Sequence, residues 1–313
     1  MTTENFSFLS ADGVTQIHAV KWIPDDGQYR AILQITHGMV EYIERYTEFA
    51  EFMTGKGYLV VGHDHLGHGH SVAREEDLGF FCKDHPSEKL VEDMHKLRTM
   101  IQEENPDVPY FMFGHSMGSY MLRTYLTKYN DNLRGAIICG TGHMDLKVPR
   151  LGMKVVKFIS VFRGWHHRSQ FVANLSFDKY YKVYDLTGQD ASNSWLSKNE
   201  DSVRAYYKDP LCTYLFTING YQGLFEAVEC SCDPEKAALL PKKLPLLFVA
   251  GEKDPVGAYG AGVKAAYDMY MKAGIKDLTY KIYENDRHEI LNELDRANVY
   301  ADILAWTNVR IDT

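Results

Sequence analysis

The sequence predicts an α/β chain: a mainly parallel sheet with helices on both faces and an inserted helical cap. Three observations predict it. Short, continuously apolar runs alternate with segments of helical spacing, the pattern of strands buried on both faces. The alternation lapses between about 143 and 240, where aromatics and helix-like spacing replace it, and then resumes. Between an apolar run and a helical segment stands Gly114-His115-Ser116-Met117-Gly118, which puts a serine at the apex of a sharp strand-to-helix turn.

The elements follow in order. Residues 6–10 and 16–23 read as a hairpin joined by a turn at Asp12-Gly13. An apolar strand over 31–36 ends at His37-Gly38. Helical spacing over 46–56 puts Phe49, Phe52 and Met53 on one face and stops at Gly57. A buried strand over 58–62 and a helix over 89–104, closed by Asn105-Pro106, lead to the strand 109–113, the serine turn and a helix over 119–129. The next strand spans 134–139. After the lapse come strands at 244–250 and 278–283 and a final helix over 289–308. The core is therefore 1–142 with 241–313, and the cap is 143–240. A separate second domain is disfavoured because the sheet pattern continues beyond the cap.

Composition narrows the function. The chain has 313 residues, 45% hydrophobic and 24% charged, ordinary for a globular protein with a sizeable core. Its net charge of −8 and lack of a basic run argue against a nucleic-acid partner. The polar, acidic start Met1-Thr2-Thr3-Glu4-Asn5-Phe6 does not resemble a secretory signal. No apolar stretch approaches the roughly 18 residues that span a bilayer. The five cysteines are odd in number and lack framework spacing, so reduced thiols and a cytoplasmic location are expected.

A serine hydroxyl needs a base within hydrogen-bond reach, and the base needs a group that holds its tautomer. On a strand–turn–helix serine of this kind, an acid and then a histidine follow in chain order, each after a strand. Asp254 follows the strand at 244–250 and His288 follows the strand at 278–283. Both stand where open α/β sheets build their sites. Glu252 and Asp286 are rival acids. The oxyanion hole needs two backbone amides, expected from Met117 after the serine and Met39 in the loop after 31–36, with Gly38 allowing close approach. Gly38 and His115 beside the nucleophile, with Phe158 and Phe162 in the cap, are the candidate substrate contacts. The run His63-Asp64-His65-Leu66-Gly67-His68-Gly69-His70 invites a metal reading. It lacks a fixed helical register, and the serine chemistry calls for no metal or other cofactor.

Five segments together resemble the monoacylglycerol lipase and lysophospholipase-like branch of the serine α/β-hydrolases, hydrolases of serine aminopeptidase S33 type. They are 37–46 (H-G-x-x-E-x-x-x-R-Y), 64–71 (D-x-x-G-H-G-x-S), the serine turn at 114–118, Gly251-Glu252-Lys253-Asp254-Pro255-Val256, and Arg287-His288-Glu289 with Asn292-Glu293. The resemblance implies an α/β-hydrolase fold, a triad of Ser116, Asp254 and His288, oxyanion amides on Met39 and Met117, and a structural role for the histidine-rich loop. Position 42 departs from it, being Tyr where the family has His.

The cap run Met153, Val155, Val156, Phe158, Ile159, Val161 and Phe162 is interrupted by Lys154, Lys157 and Arg163. Such a helix can touch a membrane surface, line an acyl pocket or simply pack on the core. Tyr206, Tyr207, Tyr214, Phe216, Tyr221 and Phe225 suggest an apolar pocket wall. An uncharged, partly apolar ester or lipid is the expected substrate. An amidase or aminopeptidase on the same fold is the alternative, since Asp178, Asp185, Asp190, Glu200 and Asp201 in the cap could bind an amine. A non-catalytic binding protein is the third reading, disfavoured by the intact serine, acid and histidine.

Overall fold

In the computed structural model, which describes residues 1–176 and 179–311, one eight-stranded sheet organises the chain. β1 (Thr2–Leu9) and β2 (Gln16–Ile23) form the expected antiparallel hairpin. Asp12 closes its turn by accepting the amides of Val14 at 2.7 Å and Thr15 at 2.8 Å. β1 begins earlier than its apolar pattern suggests because Thr2–Asn5 lie on the exposed sheet edge, where no alternation is required. β3 (Ala31–Thr36), β4 (Tyr58–His63), β5 (Tyr110–His115), β6 (Leu133–Cys139), β7 (Leu246–Gly251) and β8 (Leu278–Tyr283) complete the order β1-β2-β4-β3-β5-β6-β7-β8. β2 meets β4 antiparallel, and every later pairing is parallel.

β3, β4, β5 and β7 are buried along their whole length. Helices cover both faces: α1 (Thr47–Thr54), α2 (Pro86–Glu104) and α3 (Met117–Tyr125) before the insertion, and α9 (Ala261–Lys272) and α10 (Arg296–Asn308) after it. The two-residue period of β5 shows how. Phe111 and Phe113 join Phe49, Tyr300 and Trp306 of α1 and α10 on one face. Tyr110 and Met112 join Leu97, Met121 and Val263 of α2, α3 and α9 on the other. α9 has no counterpart in the sequence reading.

Between β6 and β7 lie α4 (Lys147–Arg163), α5 (Gln170–Ser176), α6 (Glu200–Lys208), α7 (Ile218–Cys232) and α8 (Pro234–Ala237). Among the described residues this stretch adds no strand to the sheet, only the isolated bridges Arg168–Thr217 and Asp185–Ser194. α7 is continuous with the core: Tyr221, Ala227 and Val228 join its buried cluster, and Thr124 of α3 donates to the Ala227 carbonyl at 3.3 Å. α4 buries only Pro149 and Val156. Among the described residues no helix is long and apolar enough to cross a membrane. All five cysteines are unpaired thiols.

Candidate active site

Ser116 sits between β5 and α3 with φ 53° and ψ −121°, a conformation that L side chains rarely adopt. The flanking glycines make the turn feasible. A Cβ on Gly114 would lie 2.5 Å from the Gly118 carbonyl oxygen, and one on Gly118 would lie 2.2 Å from the Thr36 carbonyl oxygen. The Ser116 amide donates to the Cys139 carbonyl at 3.0 Å, which ties the turn to the end of β6.

Asp254 and His288 come together from the loops after β7 and β8. His288 Nδ1 lies 3.0 Å from Asp254 Oδ1, and both side chains are buried. The same carboxylate oxygen accepts the Val256 amide at 2.9 Å. The rival acids are engaged elsewhere. Glu252 accepts the Asn285 amide at the surface, and Asp286 takes the Lys198 ammonium at 2.6 Å. His288 also lies against Gly140, the residue after the carbonyl that holds the Ser116 amide, where an added Cβ would be 3.2 Å from His288 Cε1. Among the described residues no hydrogen bond joins Ser116 Oγ to His288.

The loop after β3 passes beside the serine. A Cβ on Gly38 would stand 3.1 Å from Ser116 Cβ, so only glycine lets the chain through. The Gly38 amide donates to Glu41 Oε1. Glu41 is a hub: Tyr46 Oη donates to it at 2.9 Å, His115 Nδ1 lies at 3.2 Å and Arg45 Nη1 at 2.7 Å. Arg45 then pairs through both terminal nitrogens with Glu289 at 2.8 Å each. A buried chain of charge thus runs from the loop after β3 to the residue beside His288. Burial works against the Glu41 carboxylate, yet His115 and Arg45 hold its pKa well below the usual range. Burial likewise opposes the charged form of His115, but the hydrogen bond and charge of Glu41 raise its pKa. Apart from bonds inside their own elements, neither the Met39 nor the Met117 amide has an acceptor among the described residues.

The histidine-rich loop is interior except at His70, which is exposed. His37, His63, His65 and His68 are all buried, with ring centroids 4.4 Å apart for His37 and His65 and 5.1 Å for His63 and His65. Burial lowers His37 to about 4 and His63 to about 3. The one described group with three donor atoms within 4.8 Å of one another is His18, Glu44 and Asp64. Its atoms are largely spoken for. His18 Nε2 pairs with Glu44 Oε1 at 2.7 Å, and the two Asp64 oxygens accept the Ile43 and His70 amides at 2.8 and 2.7 Å. The group reads as a brace for the loop after β3.

The residues expected to contact substrate lie in different surroundings. Phe158 and Phe162 are 67% and 71% exposed on α4, packed 5.2 Å from each other and facing outward. His115 is buried and committed to Glu41, Tyr46 and the His288 carbonyl, so its ring supports the site from behind. Of the aromatic cluster, Phe216 and Tyr221 are core residues, while Tyr206 faces the Arg45 guanidinium at 4.9 Å. Asp178 lies outside the described residues. Glu41, Arg45 and Glu289 carried no role in the sequence reading, although all three stand inside the quoted motifs. Trp195, which stacks on the His288 ring with centroids 5.0 Å apart, left no signal at all.

The family model described as serine aminopeptidase, S33, matches residues 27–295. The chain is 26% identical to a monoacylglycerol lipase of Mycolicibacterium smegmatis, covering 97% of each chain. It is 27% identical to the human monoglyceride lipase, covering 97% of this chain and 90% of that one. The solved structure of a thermostable carboxyl esterase from Bacillus coagulans, in complex with glycerol, superposes with a TM-score of 0.90 at 29% identity, over 99% of each chain.

Proposed function

Since the chain belongs to the serine aminopeptidase S33 family and is a serine hydrolase of the carboxylesterase and lipase type, we propose that it cleaves monoacylglycerol-like or lysophospholipid-like esters through an acyl-enzyme on Ser116. The observation that carries this reading is the buried Asp254–His288 pair, 3.0 Å apart, beside a serine held at φ 53° at the head of a helix. His288 takes the Ser116 proton as the oxygen attacks the ester carbonyl. The amides of Met39 and Met117 receive the tetrahedral oxyanion, each contributing roughly 10²–10³ in rate. His288 then passes its proton to the leaving alcohol and activates the water that releases the acid.

In this reading residues 143–240 are the cap, seated on the core through α7. The outer face of α4 and α5 meets the lipid phase. Val148, Leu151, Phe158, Val161, Phe162, Phe171 and Leu175 are exposed there, beside Lys154, Lys157 and Arg163. The unpaired cysteines favour a reducing compartment. The described acids of the cap do not favour an amine-binding site. Asp185 and Asp190 accept hydrogen bonds within their own turns, Glu200 pairs with Arg204, and Asp201 is a surface group beside the same arginine.

The test is hydrolysis of p-nitrophenyl esters from acetate to palmitate by wild type and Ser116→Ala, with an amino-acid p-nitroanilide alongside. Ester turnover that falls by about 10⁴-fold or more in the variant is the expected result. Anilide turnover with silent esters would overturn the esterase reading in favour of the amidase.

A further inference from the structure

The insertion does more than cover the site: its segment 192–199 is bound to the loop that carries His288. His288 and Glu289 donate their backbone amides to the Trp195 and Leu196 carbonyls at 3.3 and 2.7 Å. Arg287 reaches the Ser192, Ser194 and Ser197 carbonyls. In return, Glu293 accepts the Ser197 hydroxyl and the Lys198 amide at 2.9 Å each, and Asn199 donates to the Asn292 carbonyl at 3.0 Å. Lys198 closes the set on the buried Asp286 at 2.6 Å. A flap that opens and shuts would be expected to touch the core through a few exchangeable contacts. This segment is stitched to it along the backbone.

The product of that stitching is the placement of one ring. The Trp195 indole stacks on the His288 imidazole, with centroids 5.0 Å apart and planes 29° apart. The indole is itself held by an edge contact with the Tyr181 ring, centroids 5.4 Å apart. His115 also lies against the imidazole, at 4.7 Å. Two aromatic neighbours and Asp254 therefore determine both the tilt and the in-plane rotation of the ring.

We propose that Trp195 is a positioning residue for His288, supplied by the insertion, which holds the imidazole in its working orientation and lends its π-face to the imidazolium formed as Ser116 gives up its proton. This rests on the triad reading above. An indole face is attractive to a cation and far less so to a neutral ring, so the contact is strongest in the transition state and leaves substrate binding alone. Its loss lowers kcat without raising KM, whereas a wall of the acyl pocket would act on KM. The segment 192–199 is accordingly part of the catalytic framework rather than of any lid.

The experiment measures kcat and KM for one p-nitrophenyl ester, and the rate of labelling by a fluorophosphonate, in four proteins: wild type, Ser116→Ala, Trp195→Met and Trp195→Phe. Methionine fills much of the volume without a π-face, and phenylalanine keeps one. The expected result is a roughly tenfold fall in kcat and in labelling rate for Trp195→Met, KM within about twofold, and recovery of most of the loss in Trp195→Phe. Equal kcat in wild type and Trp195→Met, with Ser116→Ala inactive, overturns the role of Trp195 and leaves the triad standing. A change confined to KM makes Trp195 a pocket wall and likewise overturns it. An active Ser116→Ala removes the triad and this inference together. Should Trp195→Met fail to fold, Trp195→Leu provides the same comparison against the phenylalanine variant.

Discussion

At Arg45 one guanidinium neutralises two buried carboxylates, Glu41 and Glu289, and the side chain is only 12% exposed. Removing it strands both charges away from water, a situation that costs about 3–5 kcal/mol where it has been measured. Arg45→Met is therefore expected to lose stability on that scale in urea unfolding. Arg74→Ala, which breaks a surface pair 61% exposed on the arginine side, should stay within about 1 kcal/mol of wild type. Similar losses in the two variants would show that the Glu41–Arg45–Glu289 chain does not hold the loops together. The residues legible in the sequence are those whose type and order are dictated by chemistry: a serine between glycines, then an acid and a histidine after strands. Pattern there favours Asp254 over Glu252 and Asp286; in the fold Asp254 is the acid that meets His288, while Glu252 takes the Asn285 amide and Asp286 the Lys198 ammonium. Phe158 and Phe162, exposed on α4, show what helical spacing leaves open. Apolar residues along a helix say that one face is greasy, not whether protein or solvent covers it. Trp195 was invisible because its partner is 93 positions away, joined to it only by tertiary contact.

The elements were read more accurately than their ends. The final helix starts at Arg296, not 289, because residues 289–293 are spent on the site: Glu289 on Arg45, Asn292 and Glu293 on the segment 192–199. Helical spacing in that stretch is real, and tertiary hydrogen bonds override it. α2 begins at Pro86, three residues before its first periodic position, because proline at the first turn needs no amide partner. The close packing of α3 against the end of β3 yields a sharp expectation. Gly118 in the first turn of α3 lies so near the loop after β3 that a methyl group would sit 2.2 Å from the Thr36 oxygen and 2.5 Å from the His37 oxygen. Those atoms are backbone, so the helix or the loop after β3 must shift. Gly118→Ala is expected to lose about 1–3 kcal/mol of stability and roughly 10²-fold in kcat. Gly55→Ala, whose new methyl would meet only the Glu51 and Phe52 oxygens at 3.4 Å, should be close to neutral. Full activity in a folded Gly118→Ala would mean that the separation of α3 and the loop after β3 does not set the rate.

For the molecule as a whole, the parallel sheet was legible because strands buried on both faces leave uninterrupted apolar runs, while the helices between β6 and β7 show in the sequence only as a lapse in that pattern. What no periodicity could show is how much titratable side chain the fold encloses. His37, His63, His65 and His68 are buried neutral, with His37 down to about 4 and His63 to about 3, burial being the main cause for each. In the unfolded chain the same groups take up protons near pH 6.5. A depressed folded pKa therefore contributes stability that is present above about 6.5 and is lost as pH falls toward the folded value, at about 1.4 kcal/mol per pH unit for each histidine. Buried carboxyls work the other way. Burial raises Asp64 to about 7 and Asp93 and Asp286 to about 6, so these groups take up protons in the folded state first and favour it as pH falls. The two sets oppose each other over the same window, which makes the total slope a poor test and a difference a good one. His63 is the best choice, because neither ring nitrogen has a hydrogen-bond partner among the described residues and an apolar side chain there leaves nothing unpaired. His63→Leu is expected to match wild type within about 1 kcal/mol at about pH 7.5, and to lose stability less steeply below about pH 6.5, by about 1.4 kcal/mol per pH unit. Urea unfolding of both proteins across that range checks it: curves that stay parallel would mean that His63 is protonated inside the fold as readily as outside it.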